Sequence, residues 1–205
     1  MAENFSLYEG VLWEPDEGYF LLADHLQRLE RSANHFGHVA DLEAIRSQLM
    51  AAADDFSPEA RKVRFEVSRD GELHVEAEVI VPSSTVSYAL SGDPVDSSDT
   101  FLAHKTSRRA VYERAGAAHP DAEDVVLWNE RGELTESCRA NLVLEIRGRR
   151  LTPHAKCGLL PGTFRGHLLE RGEIEEAVLS VEEIHQADEV FLINSVRRWR
   201  RGVAL

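Results

Sequence analysis

The stretch DVVLWNERGELTESCRANLVLEI, residues 124–146, sets three strands in quick succession. DVVLW (124–128) is a short apolar run, NERG is a turn, and strands follow around ELTES and NLVLEI. The polar interruption between them carries Glu136 and Asn141, which either cap a sheet's end or face a ligand. Toward the C-terminus, GLLPGTFRGHLLERG (158–172) turns through proline and glycine into a helix. EAVLS reads as a strand, a short helix starts near 181, and EVFLINSV is a strand. VRRWRR (196–201) is either an exposed basic tail or a set of arginines that meet anionic groups on a ligand.

Toward the N-terminus, HKTSRRAVYERA (104–115) reads as a helix and SGDPVDSSDT (91–100) as a linker or interlobe loop. KVRFEVSRDGELHVEAEVIV alternates apolar and polar residues around Asp70-Gly71, a hairpin signal. FSLYEGVL (5–12) and GYFLL (18–22) read as strands around the turn EPDEG. Asp24 is placed as the cap of a helix with Leu26, Leu29, Ala33 and Phe36 on one face, closed by Gly37. A second helix fits 41–53. The expected fold class is therefore α+β in two lobes: a small lobe over 1–90, an interlobe loop over 91–100 and a larger lobe over 101–205.

The bulk numbers narrow the function. A chain of 205 residues with 43% hydrophobic and 29% charged residues has the composition of an ordinary globular protein. No apolar run reaches the roughly 20 residues of a membrane span, and MAENFSLYEG lacks the basic-then-apolar pattern of a secretory signal. A cytoplasmic protein is expected. The formal net charge of −13 argues against a nucleic-acid or anionic-membrane partner. Cys138 and Cys157 make no metal pattern, and His35 and His38 lack acidic or cysteine partners at ligand spacing, so no metal is expected.

Lysine is scarce: of 23 basic residues only Lys62, Lys105 and Lys156 are lysine. Arginine serves a salt bridge or a phosphate clamp as well or better, but it cannot lose its proton near neutral pH and attack a carbonyl. Lys105 is thereby singled out for scrutiny. Pro161-Gly162 at a helix start would suit an anion such as phosphate, although a plain loop-to-helix junction looks the same. Arg28 and Arg31 in HLQRLERSA lie on an amphipathic helix, where arginines are usually solvated.

The order of these pieces carries a resemblance. HLxRL, HKT-x-x-R-x-x-Y, D-x-V-x-L-W-N-E-x-G-E-L-T-E-S-x-x-A-N, GLLPG-x-x-R and FLINS, from about residue 5 to 199, resemble the class IV aminotransferases. These are pyridoxal-phosphate enzymes of fold type IV with a D-amino-acid-aminotransferase-like architecture. They include branched-chain and D-amino-acid aminotransferases and 4-amino-4-deoxychorismate lyase, and the wording here is most similar to the lyase branch. The resemblance implies pyridoxal 5'-phosphate as cofactor, a small anionic amine-bearing substrate, and a homodimer. Lys105 matches the lysine that joins covalently to the cofactor and shuttles protons. Glu136 matches the carboxylate that faces the pyridine nitrogen, and Arg28 the arginine on the phosphate. Thr163, Phe164, Asn194 and Ser195 match two further phosphate-binding turns. Asn141 is carried over as cofactor-binding, while Arg109, Tyr112 and Arg197 are candidate substrate residues. For Arg109 and Tyr112 a purely structural helix face is the alternative. A lyase that releases 4-aminobenzoate and pyruvate is the implied activity, with an aminotransferase and a non-catalytic cofactor-binding protein as alternatives.

Overall fold

The computed structural model describes residues 5–205, and the chain forms two compact units. One comprises the residues through Val81 together with Lys105–Arg108; the other comprises Pro82–His104 and Arg109–Leu205. The division runs differently from the boundaries read at 90 and 101: Lys105 belongs to the first unit, not to the larger one.

The first unit is an antiparallel sheet with two helices. Its strands are β1 (Leu7–Glu14), β2 (Gly18–Tyr19), β3 (Arg61–Val67) and β4 (Leu73–Val79), in the order β2-β1-β3-β4. The helices are α1 (Leu22–Phe36) and α2 (Leu42–Ala53). Asp70-Gly71 forms the hairpin the alternation predicts, with Gly71 at φ 92, where a side chain would be strained. Gly37 closes α1 in the left-handed region, its N–H on the carbonyl of Ala33. The start of α1 differs from expectation. Leu21, not Asp24, is the residue that opens it, without a side-chain cap, and Asp24 lies in the first turn, where its charge suits the helix dipole. GYFLL contributes only two residues to the sheet because Leu22 already begins the helix. The core gathers Leu7, Val11 and Trp13 of β1, Leu26, Leu29 and Ala33 of α1, and Val63 and Phe65 of β3.

The second unit is built on eight strands. They are β5 (Thr85–Leu90), β6 (Asp124–Trp128), β7 (Leu134–Ser137), β8 (Asn141–Ile146), β9 (Arg149–Pro153), β10 (Glu175–Ala177), β11 (Glu189–Asn194) and β12 (Arg198–Ala204). Their order is β10-β9-β8-β11-β12-β5-β6-β7, and a further pairing of β7 with β8 closes the run from β8 to β7 on itself. The closing pair is Glu136 with Asn141. Strand β6 reads as an unbroken apolar run because both its faces are buried. Val126 enters the core with Leu134, Leu142 and Leu144, while Val125 and Leu127 pack on the other side with Leu102 and Val95. Helix α3 (Ala110–Ala118) lies on that second side through Val111, Tyr112 and Ala115, and helix α4 (Thr163–Glu170) packs against β11.

Three readings are corrected here. VRRWRR is not a tail: residues from Arg198 onward form β12, paired to β11 on one side and β5 on the other. SGDPVDSSDT is not a free linker. Val95 is buried, its N–H donates to the carbonyl of Trp128, and the Trp128 indole donates to the carbonyl of Ser91. HKTSRRAVYERA is helical only from Ala110, so Lys105 lies in extended chain. Among the described residues no helix is long and apolar enough to cross a membrane.

Candidate active site

The first unit holds Lys105 and Arg28. Residues 105–107 run alongside β1. The Tyr8 N–H donates to the Lys105 carbonyl at 3.1 Å, and the Ser107 N–H donates to the Ser6 carbonyl at 2.9 Å. Ser107 Oγ accepts the Ser6 N–H at 2.9 Å, so the register is pinned on both sides of the lysine. The half-buried Lys105 carries its Nζ 4.9 Å from the centroid of the Tyr8 ring, and the Arg64 guanidinium lies 4.7 Å from the same ring. Tyr8 thus serves two cations through its π face. The other lysines stand apart by context: Lys62 pairs with Glu78 at 2.6 Å on β3, and Lys156 is exposed in the short 3-10 turn Ala155–Cys157.

Arg28 and Arg31 separate clearly. Arg31 is exposed and reaches Gln27, one turn back on its own helix, whereas Arg28 is buried. Arg28 donates from Nε to Glu9 Oε1 at 2.9 Å and from Nη2 to Glu9 Oε2 at 2.5 Å, and His25 Nδ1 meets the same Oε2 at 2.7 Å. Burial pushes the Glu9 carboxyl up, but the Arg28 charge and the hydrogen bonds from Arg28 and His25 outweigh it and hold it at about 2. Burial pushes His25 down, against the pull of Glu9, with the charges of Arg28 and Lys105 adding to the depression. His25 is therefore a neutral ring that donates Nδ1–H to an ionised Glu9. Nothing in the motifs marked Glu9. Its signal was a carboxylate at a core-facing step of the strand, between Leu7 and Val11.

The second unit holds the remaining candidates. Glu136, on β7, is 5% exposed, and its Oε1 accepts the Tyr112 hydroxyl at 2.8 Å and the Leu160 N–H at 3.2 Å. The Leu160 carbonyl in turn accepts Asn141 Nδ2–H at 2.8 Å, so Glu136 and Asn141 hold the backbone of Leu160 on both sides of its Cα. Arg109 donates to the Cys138 carbonyl at 2.6 Å and lies 4.6 Å from the Tyr112 ring. Tyr112 thus supports Glu136, and Arg109 supports Tyr112 and the turn after β7.

Thr163 and Phe164 open α4, behind Gly162, whose backbone begins the helix without any side-chain cap. The first-turn N–H groups and the dipole there suit an anion. The Phe164 ring packs edge-on to Trp199, 6.4 Å between centroids. A Cβ on Gly162 would lie 2.0 Å from Asn141 Oδ1. Gly162→Ala is therefore expected to push Asn141 off Leu160 and loosen the peptide that faces Glu136. That change should cost about 1–3 kcal/mol of stability, read as a lowered midpoint in urea, together with weakened cofactor binding.

Asn194, at the end of β11, accepts the N–H groups of Val196 and Arg197 at 3.1 and 2.8 Å and donates to the Arg139 carbonyl at 3.2 Å. Its side chain shapes the turn that carries the buried Ser195. Four arginines lie beyond it. Arg201 pairs with Glu189 at 2.5 Å, and Arg200 with Glu123 at 3.2 Å and the carbonyl of Thr85. Arg197 is exposed. Both cysteines are buried and free, and burial pushes each thiol up to about 11, so neither supplies a thiolate near neutral pH. Among the described residues no cluster of three or more His, Cys, Asp or Glu could hold a metal.

The first unit carries a lysine and a buried arginine, and the second a buried carboxylate and an uncapped helix start. The chain belongs to the class IV aminotransferase family, whose model matches residues 6–205. It is 34% identical to a Schizosaccharomyces pombe protein named "Putative aminodeoxychorismate lyase", over 99% of this chain and 91% of that one. It is 28% identical to a Thermotoga maritima protein named "Probable branched-chain-amino-acid aminotransferase", over 94% of this chain and 77% of that one. Among solved structures, one titled a "Putative amino-acid aminotransferase", from Mesorhizobium loti, superposes with a TM-score of 0.92 at 33% identity. That match covers 98% of this chain and 100% of the other. The fold is the α+β architecture of fold type IV.

Proposed function

We propose that this chain is a pyridoxal-phosphate-dependent lyase that converts aminodeoxychorismate to 4-aminobenzoate and pyruvate. The observation that carries the choice is the 34% identity to the Schizosaccharomyces pombe protein of that name, sustained over 99% of this chain. Each unit carries donors of the kind the cofactor needs. Arg28 and the uncapped start of α4 at Thr163 and Phe164 suit its phosphate, with Ser195 on the turn that Asn194 shapes. Lys105 supplies the amine for its aldehyde. Glu136, oriented by Tyr112 and Leu160 and backed by Asn141, supplies a carboxylate for its ring nitrogen. Bound there, the cofactor supplies an electron-withdrawing ring that stabilises negative charge at the carbon bearing the substrate amine.

The chain's own residues do the rest. Lys105 takes the proton from the amine-bearing carbon. As the ring becomes aromatic the enolpyruvyl group leaves, accepts a proton and is released as pyruvate. Glu136 keeps the ring nitrogen protonated by its negative charge. Arg197, exposed on the turn just before β12, is the arginine we assign to a substrate carboxylate. A cytoplasmic homodimer completes the reading, and light scattering of the purified chain reads its mass.

The deciding experiment incubates the cofactor-loaded protein with aminodeoxychorismate. Equimolar 4-aminobenzoate and pyruvate are expected. Transfer of the amino group to a 2-oxo acid without their release would overturn the lyase reading. It would favour the aminotransferase that the Mesorhizobium loti likeness supports.

A further inference from the structure

Glu9 is a carboxylate set into the apolar face of a strand. Leu7 and Val11, its neighbours on that face, are fully buried, and so is Phe65, opposite it on β3. Buried ion pairs are often no more stabilising than apolar side chains of the same volume, so stability alone explains such a network poorly. The geometry has another use. Glu9 grips the Nε–Nη2 edge of Arg28 side-on, which fixes the plane of the guanidinium. His25 donates to Glu9 Oε2 and fixes the carboxylate in its turn. The preceding residue does the same for the lysine: the Tyr8 N–H holds the Lys105 carbonyl, and its ring lies under Nζ. Adjacent residues of a strand point to opposite faces. One dipeptide of β1 therefore sets both the lysine segment and the arginine.

We propose that Glu9, braced by His25, is a positioning residue that presents Arg28 to the cofactor phosphate, and that the network is kept for this rather than for stability. The inference rests on the reading above, in which Arg28 takes that phosphate. Because Glu9 holds one edge of the fork, the arginine's aim depends on Glu9 staying in place.

The test compares the affinities of the full-length apoprotein for pyridoxal phosphate and for pyridoxal, which lacks the phosphate, by titrating tryptophan fluorescence. In Glu9→Gln the phosphate form should bind roughly ten- to a hundredfold more weakly, the scale expected when a partner behind a ligand-holding group is lost. Pyridoxal should change little, so the preference for the phosphate form collapses. A variant that binds both forms with wild-type preference overturns the proposal. Should Glu9→Gln fail to fold, His25→Leu and His25→Asn carry the same test. Leucine removes the donor to Glu9 and should reduce the preference several-fold, and asparagine, which restores a donor near the Nδ1 position, should recover it. Equal preference in wild type and both His25 variants would sink the idea. A wild type that binds pyridoxal phosphate no better than pyridoxal would remove the role of Arg28 itself, and with it the cofactor reading. Turnover of aminodeoxychorismate is scored separately and bears on the reaction alone.

Discussion

Lys105→Ala should lower release of 4-aminobenzoate by on the order of 10³-fold or more, because it removes both the attacking amine and the group that moves the proton. Borohydride, which should fix a pyridoxyl group on the wild-type lysine, should leave the variant unlabelled by mass spectrometry. Stability should change little, since the side chain is only half-buried and the pairing of residues 105–107 with β1 is made by backbone and by Ser107. Lys62 and Lys156 serve as controls: Lys62 is tied to Glu78, Lys156 is exposed, and alanine at either should leave labelling intact. Turnover within tenfold of wild type in Lys105→Ala would reassign the chemistry to another amine.

The second large effect concerns Arg28. Arg28→Leu leaves Glu9 buried without its cation, and breaking such a pair costs about 3–5 kcal/mol, a drop of roughly 6–20 °C in melting midpoint for a chain of this size. The loss should depend on pH in a defined direction. The folded Glu9 carboxyl sits at about 2, against 4.5 for the ordinary group. Its contribution is therefore complete above pH 4.5 and is lost as pH falls toward 2. His25 is depressed from 6.5, so the unfolded chain takes up a proton below that value that the folded ring resists. Both groups make the wild type less stable in acid. Without Arg28, burial favours the neutral carboxyl of Glu9, and the gap between wild type and variant should narrow between pH 7 and pH 3. Melting curves across that range check it; a gap that widens in acid would contradict the charge state assigned to Glu9.

Much of the first unit could be read from local chemistry. Asp70-Gly71 and Gly37 demand backbone that few other residues adopt, and Leu26, Leu29 and Ala33 mark one helix face by spacing alone. The second unit hid more because its pairings are distant. β12 looks like a basic tail until Glu189 and Glu123 are seen to take Arg201 and Arg200, and until Arg150 is seen 5.1 Å from the Trp199 ring. β5 was absorbed into the small lobe because its partners, β6 and β12, lie far along the chain. The site shows the same divide. Scarcity singles out Lys105 as a candidate and motif order Glu136, but the Tyr112 hydroxyl on Glu136 shows only in the structure. Glu9 was missed because an acidic residue on a strand is ordinarily the solvated half of an alternation, and only burial shows it facing inward.

The position of β12 has a consequence for how the protein is made. It lies between β11 and β5, and it follows β5 by more than a hundred residues. A ribosome adding about 5–20 residues per second leaves the β12 side of β5 unpaired for roughly 5–20 s. The first unit's sheet, by contrast, can be assembled once β4 has emerged. During synthesis the exposed edge of β5, with Val86 and Tyr88 awaiting burial, is the surface a chaperone would be expected to cover.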